Sequence, residues 1–422
     1  MKTVNENKVA IVNLGTELTQ GFTLNTNAYQ MAGRLRDLGF EVAYEITLPD
    51  DASFWKETWE MILRANVHTV ILGGGLGPTE DDKTRHLVAD TLGEPLEFRA
   101  EWIPQIRAFV ERRGLKYSET NDIQAFFPRT SEVLDNPVGS APGFRLTKNS
   151  VTLFAVPGVP SEAMTMFERH IEPFLKAKNV APTFFRELRI SGIFESDMAK
   201  RFGRVRFPKG VSWSSLPEKD GIVFRTYTKE SPEILKFLEK ELLCALDEPQ
   251  SVISTDGKNL TETVAELLVR RGETLSTAES CTGGMIASEI VNLPGASRFF
   301  AGGACTYRNE AKRDILGVPQ ATLDAYTAVS RETALAMAEG AKRIYRSDWA
   351  VSTTGIAGPD GGTPEKPVGM VWIGVATPEK TFAFCENFSG NRVQIREKSV
   401  FKALDLLRRA ILEQKSTCTK VQ

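Results

Sequence analysis

Residues 8–75 open with a repeating alternation: KVAIVNLG (8–15), a mixed stretch from Asn27 to Leu38, FEVAYEI (40–46), a second mixed stretch from Phe54 to Ala65, and VHTVILGGG (67–75). Short apolar runs closed by glycine or polar residues read as buried strands, and the stretches between them carry helical spacing. The order βαβαβ implies a parallel sheet with right-handed crossovers. VTLFAVPG (151–158) adds a further strand.

The pattern changes beyond this unit. FFRELRISG (184–192), a helix, GIVFRTYT (221–228) and the helix PEILKFLEKELLCAL (232–246) read as a small α+β insert over 176–250. The polar run EPQSVISTDGKN (248–259) follows, and residues 251–259 read as a linker. Alternation then resumes with a helix near Leu260, LSTAES (275–280), a helix from about Gly284, FFAGGACTY, a helix from about Arg331, WAVSTTGIAG, VGMVWIGVAT, TFAFCENF and a helix ending near Leu412. The expected fold class is α/β. Two three-layer α/β domains with mainly parallel sheets, 1–175 and 260–422, are joined by the small insert, with no internal repeat relating them.

At 422 residues the chain exceeds what one hydrophobic core organises. Its composition, 41% hydrophobic and 25% charged with a formal charge of −2, gives no electrostatic pull toward nucleic acid or an anionic membrane. Five scattered cysteines (Cys244, Cys281, Cys305, Cys385, Cys418) form neither a disulfide framework nor a zinc-site spacing, so they are expected to be reduced and structural. With no signal-peptide core and no run of about 18 apolar residues, a cytoplasmic location without membrane partners is expected.

TLSTAESCTGGMIASEI (274–290) sets Ser280 where a strand meets Cys281, Thr282, Gly283, Gly284 and a new helix. Unpaired N–H groups and the helix dipole there suit an oxyanion or a phosphate, while a serine or threonine at such a junction also serves as a plain N-cap. All three histidines (His68, His86, His170) lie before residue 171, so a serine nucleophile here needs another base. Lysine can serve if burial lowers its pKa, and TYRNEAK (306–312) supplies Tyr307, Asn309 and Lys312 after a strand. TTGIAGPDGGTPEKPVG (353–369), with five glycines and three prolines, is a long irregular loop that begins with Thr354 and Gly355 at its strand end. Arg392 and Arg396 stand four apart at a helix start, suited to a phosphate or carboxylate.

In the first domain, VHTVILGGGLGPTEDDKT (67–84) places Gly74, Gly75, Gly77 and Thr79 in a loop that can cradle phosphate. Glu80, Asp81 and Asp82 follow at a helix start, where carboxylates can hold a hard divalent cation or simply suit the dipole. No GxGxxG fingerprint stands in its usual place, so redox chemistry on a dinucleotide is not supported.

AESCTGG (278–284), YRNEAK (307–312), TGIAGPDGGTPEKPVG (354–369) and FSGNR (388–392), in that order, resemble the C-terminal domain of the CinA (competence/damage-inducible) family, which is similar to nicotinamide-mononucleotide amidohydrolases. The resemblance implies Ser280 as nucleophile, Lys312 as its base and Tyr307 in the pocket. Thr282, Gly283, Gly284, Asn309, Thr354 and Gly355 would line the nucleotide site, and Arg392 or Arg396 would meet its phosphate. The amidohydrolase would need no cofactor. NLGTEL (13–18), NTNA (25–28), GGGLGPTEDDKT (73–84), NPVGSAPGF (136–144) and VPGVPSE (156–162) resemble the family's other half, similar to molybdopterin-binding domains and associated with metal-dependent ADP-ribose pyrophosphatase activity. That likeness assigns Glu17, Asn27, Asp81 and Asp82 to substrate or metal, with Mg, Mn or Co as the ion. Two departures are the missing aliphatic run after Glu17 and Ser140 in place of the usual threonine. Small nucleotide substrates and a homodimer are the implied partners, without nucleic acid. The competing reading is a molybdopterin-like or nucleotide-binding scaffold in which one or both sites are inactive.

Overall fold

Strand β1 (Lys8–Leu14) is buried from Val9 onward, because both of its faces are covered. Val9 and Ile11 point to one side with Met31, Leu35, Met166 and Phe167, while Ala10 and Val12 point to the other with Trp55, Trp59, Ile62 and Val88. Helices Thr26–Asp37 and Pro160–Met166 therefore form one outer layer, and helices Ala52–Arg64 and Thr84–Leu92 the other. A strand without a polar face is the mark of a parallel sheet sandwiched between helices. The computed structural model describes residues 7–414. It forms two compact units, Met1–Phe184 and Phe185–Gln422.

In the first unit, β2 (Glu41–Leu48), β3 (Thr69–Gly73), β4 (Leu96–Phe98), β5 (Phe126–Pro128), β6 (Glu132–Leu134), β7 (Gly143–Lys148) and β8 (Val151–Val156) follow β1. The main sheet runs β2-β1-β3-β8-β7-β6, and β4 and β5 pair separately. β2, β1, β3 and β8 are mutually parallel, whereas β7 and β6 return antiparallel at the edge. The order changes direction at β1 and β3, so the loops after these strands open a crevice at their carboxyl ends, where ligands of open α/β sheets bind.

The second unit contains two sheets. β9 (Phe184–Ile190), β10 (Ser212–Glu218), β11 (Gly221–Thr228) and β12 (Val252–Ser254) form the smaller one, ordered β10-β11-β9-β12, under helices Glu195–Phe202 and Pro232–Leu246. Residues read as linker thus supply its edge strand. β12 was hidden because three residues carry no periodicity. The larger sheet, ordered β14-β13-β15-β16-β17, comprises β13 (Leu275–Glu279), β14 (Phe300–Cys305), β15 (Trp349–Gly355), β16 (Met370–Ala376) and β17 (Thr381–Asn387). β14, β13 and β15 are parallel, while β16 and β17 are antiparallel, making this sheet mixed. Helices Leu260–Arg271, Met285–Val291 and Arg392–Glu413 pack on one face and helix Arg331–Tyr345 on the other.

Within this unit the insert is fastened to the long last helix. Arg408, fully buried, donates to Asp405 (2.7 and 3.0 Å) and to the carbonyls of Gln250 (2.6 Å) and Val252 (2.7 Å). Ser191, just past β9, donates to Asp405 at 2.9 Å. Among the described residues no helix is long and apolar enough to cross a membrane.

Candidate functional site

Ser280 follows β13 directly and Thr306 follows β14, so both stand at the carboxyl ends of adjacent parallel strands. The Ser280 N–H donates to Thr353 at 2.9 Å and the Thr306 N–H to Glu279 at 2.7 Å, which pins the two loops to the sheet. From helix Asn309–Asp314, Lys312 reaches back under this junction. Its Nζ lies 3.0 Å from Ser280 Oγ and donates to the carbonyls of Thr306 (2.8 Å) and Tyr307 (3.3 Å). Lys312 is 1% exposed. Burial pushes its ammonium below the usual lysine range, against the opposing pull of the nearby Cys281 and Cys305 thiols. A neutral amine has two N–H groups and one lone pair. The two carbonyls take the N–H groups and leave the lone pair for the serine hydroxyl.

Cys281 is a poor competitor as nucleophile, since burial pushes its thiol up to about 11 and the reactive form is the thiolate. Cys244, Cys281, Cys305 and Cys385 are all free thiols, and Cys418 lies outside the described residues.

The turn after Ser280 is built by a residue that the sequence reading passed over. Glu279, 1% exposed, accepts from the Thr282 hydroxyl (2.7 Å) and from the N–H groups of Ile286 (3.1 Å) and Ala287 (2.9 Å). Its carboxylate thereby caps helix Met285–Val291, a favourable place for negative charge. An acid at a strand end, directly before a Ser-Cys-Thr-Gly-Gly turn, was the available signal. Thr282 also bonds Thr353 at 2.7 Å, so its hydroxyl is structural and not free for substrate. The Gly283 N–H closes the turn on the Ser280 carbonyl at 3.1 Å, so it is not one of the unpaired N–H groups expected at this junction for an oxyanion. Gly283 has φ +60, and an added Cβ would sit 3.2 Å from Arg396 Nη2. Gly284 begins the helix at φ +89.

Arg396 differs in role from the expected phosphate ligand. One turn into its helix it lies over the nucleophile loop and donates to the carbonyls of Cys281 (3.1 Å) and Thr282 (2.8 Å). Arg392, at the exposed helix start, donates to the Tyr307 hydroxyl (2.9 Å) and the Gly358 carbonyl (2.7 Å), joining the tyrosine to the Gly-Pro loop. Thr354 is buried and donates to the Ala328 carbonyl at 2.6 Å, while Gly355 ends β15 and Asn309 is exposed. The Gly-Pro loop is tied down by Lys366, which donates to Thr327 Oγ1 (2.6 Å) and the Val329 carbonyl (2.8 Å).

The first unit holds a cleft of about 540 Å³ at the switch point of its sheet, lined by Glu17, Asn27, Gly74, Gly75, Gly77, Asp81 and Asp82. Asp50, Gln124, Ser140 and Glu162 line it too. Thr79 is spent on Asp82 Oδ2, to which its N–H (3.0 Å) and hydroxyl (2.5 Å) both donate. The Gly74 N–H goes to the Val156 carbonyl at 3.0 Å, so it leaves the expected phosphate cradle. Burial raises the Glu162 carboxyl, opposed by the bond from Asn136 (2.7 Å).

Both halves match known family models: residues 257–411 the "CinA C-terminal domain" and residues 10–177 the "Probable molybdopterin binding domain". The competence-damage inducible protein of Caldanaerobacter subterraneus subsp. tengcongensis is 41% identical over 403 residues, which is 94% of this chain and 97% of that one. The chain belongs to the CinA family. A member from Clostridium botulinum (strain Okra) is 38% identical, covering 95% of this chain and 99% of its own. The crystal structure of the competence/damage inducible protein CihA from Agrobacterium tumefaciens covers 37% of this chain and 98% of its own, at 40% identity and a TM-score of 0.35. As a CinA-family chain, the protein carries the Ser280–Lys312 pair in one half and the Gly-rich cleft in the other. The bracing role of Arg396 and the cleft positions of Asn13 and Gln124 were legible only after folding.

Proposed function

We propose that the C-terminal half hydrolyses the carboxamide of nicotinamide mononucleotide to nicotinic acid mononucleotide and ammonia, in pyridine-nucleotide recycling. The observation that carries this reading is the buried Lys312 amine, 3.0 Å from Ser280 Oγ with two carbonyls on its N–H groups. Lys312 takes the hydroxyl proton while Ser280 Oγ bonds to the amide carbon. The tetrahedral intermediate then collapses, the C–N bond breaks, and the proton on Lys312 leaves with nitrogen as ammonia. Water, deprotonated by the same lysine, attacks the acyl-serine ester and releases the acid with Ser280 restored. No step calls on a metal or a cofactor. Small nucleotides as substrates and a homodimeric, cytoplasmic enzyme belong to the same proposal.

The test is ammonia release from nicotinamide mononucleotide, compared with free nicotinamide, in the presence of a chelator. Release from the nucleotide alone supports the reading, and no release from folded protein would sink it. The pH profile adds a sign. Only neutral Lys312 can accept the proton, so kcat/KM rises with pH through its pKa and then levels. Because burial lowers that pKa, the midpoint of the rise is expected below the ordinary lysine value of about 10.4. A rise centred at or above that value would exclude Lys312 as the base.

For the N-terminal half we infer metal-dependent hydrolysis of a phosphoanhydride of the ADP-ribose type, favoured by a cleft in which a Gly-rich loop faces carboxylates. Among the described residues no three His, Cys, Asp or Glu side chains gather as a metal cage. Asp81 and Asp82 fit instead the pattern of a magnesium-type ion held by one or two carboxylates and completed by substrate phosphate oxygens, where it would neutralise charge and activate water. Gly77 is the sensitive point, since a Cβ there would lie 2.4 Å from Asp82 Oδ2. Gly77→Ala is therefore expected to lower ADP-ribose hydrolysis about tenfold or more by displacing that carboxylate. Ammonia release by the other half serves as the internal control and should be unchanged.

A further inference from the structure

Two sequence motifs that the proposed chemistry leaves without a role, NPVGSAPGF (136–144) and VPGVPSE (156–162), meet at one side chain of the N-terminal cleft. Glu162 lines that cleft from the first turn of helix Pro160–Met166. Its Oε2 accepts from Asn136 Nδ2 at 2.7 Å. Asn136, 2% exposed, is fixed at both ends of its amide: Nδ2 also donates to the Ala141 carbonyl (3.1 Å), and Oδ1 accepts from the Val138 N–H (3.2 Å). Gly139 lies so close to the same carboxylate that an added Cβ would strike Oε2. Glu162 Oε1 takes no hydrogen bond among the described residues, and the half-buried side chain keeps it in contact with solvent. One oxygen is thus held and the other is accessible.

The carboxylates of this cleft come from both layers of the sandwich. Asp81 and Asp82 precede helix Thr84–Leu92, whereas Glu162 belongs to a helix packed on the other face of the sheet. No three His, Cys, Asp or Glu side chains gather as a metal cage among the described residues, so Glu162 is not a third ligand beside Asp81 and Asp82. Hydrolysis of a phosphoanhydride also needs a group that takes the proton of the attacking water. Other carboxylates here are less suited. Asp50 accepts the Thr16 N–H (2.9 Å) and hydroxyl (3.0 Å), Asp82 is held by Thr79, and Glu17 is exposed. Burial raises the Glu162 carboxyl against the pull of Asn136 and Arg113, which makes its carboxylate a stronger base.

We propose that Glu162 is the general base of the N-terminal half, held in place by Asn136 and Gly139. It takes a proton from water as the water oxygen bonds to phosphorus. The bridging P–O bond breaks, its electron pair leaves with the departing phosphate, and the proton passes from Glu162 to solvent. The proposal rests on the reading of this cleft as a phosphoanhydride hydrolase.

The test is steady-state hydrolysis of ADP-ribose by the full-length chain with magnesium, for the wild type, Glu162→Gln and Glu162→Ala, with matched melting curves. Glutamine keeps the shape and an acceptor for Asn136, so the proton acceptor alone is lost. Its kcat is expected to fall about 10²-fold or more, with KM within about threefold of wild type. Added formate should restore part of the rate to Glu162→Ala and none to Glu162→Gln, which leaves no space for it; a purely structural role would not respond to formate. A Glu162→Gln protein that keeps a tenth or more of the wild-type kcat, or that loses efficiency through KM alone, would overturn the proposal and leave the hydrolase reading intact. A folded wild type without ADP-ribose hydrolysis would remove that reading and the base together. Should Glu162→Gln fail to fold, formate decides through Glu162→Ala, and a rate unmoved by it would overturn the proposal.

Discussion

Ser280→Ala and Lys312→Met are each expected to lower ammonia release from nicotinamide mononucleotide by about 10³-fold or more, and the double variant to be little worse than either. Nucleophile and base act as one unit. With the hydroxyl gone, Lys312 has nothing to activate, and with the amine gone, no histidine follows residue 170 to replace it. Methionine nearly matches the volume of the buried lysine stem, so the variant isolates the amine without opening a cavity. Lys312→Arg is the sharper control: a guanidinium keeps the charge and cannot give up its proton near neutral pH. Single-turnover kinetics with matched melting curves would check all four variants. A Lys312→Met protein that kept a tenth or more of wild-type turnover would exclude the pair as the catalytic unit.

The second large effect concerns stability. Arg408→Met is expected to destabilise the second unit by about 3 kcal/mol, the lower end of the cost of breaking a buried ion pair. It removes the donors to the Gln250 and Val252 carbonyls and leaves Asp405, 6% exposed, with Arg409 and Ser191. Arg409 donates to Asp405 Oδ2 at 2.7 Å, which limits the loss. For a unit of this size the shift is roughly 6–12 °C in the melting transition. If Arg408→Met melts like the wild type, the insert is not fastened through this network.

Much of the layout is written locally. Period-two and period-3.6 hydrophobicity gives β1, β2, β3, β8 and the five strands of the larger C-terminal sheet, since apolar faces must be buried wherever they fall, whereas the antiparallel edge strands β6 and β7 were not read from it. β15 is one case, where WAVST has no polar face because helices cover both sides of the sheet. The serine and the lysine were also legible, one at a strand–glycine–helix junction and the other seven residues past the next strand's end. Other features were not. β12 is too short to show a period, and β16 and β17 look the same in sequence whether they run parallel or antiparallel, because direction depends on how the connection returns.

The sequence by itself determined the α/β class, the order of the elements and the residue types available for chemistry, because hydrophobic spacing and loop composition are local properties. Tertiary structure alone decided what those side chains do. It sent Arg396 to the Cys281 and Thr282 carbonyls, spent the Gly283 N–H inside its turn and the Gly74 N–H on the neighbouring strand, buried Glu279 as a helix cap and set Lys312 against Ser280. Each outcome depends on partners distant in the chain or on the path of the turn, and on which polar group loses its water. No local pattern encodes those two things.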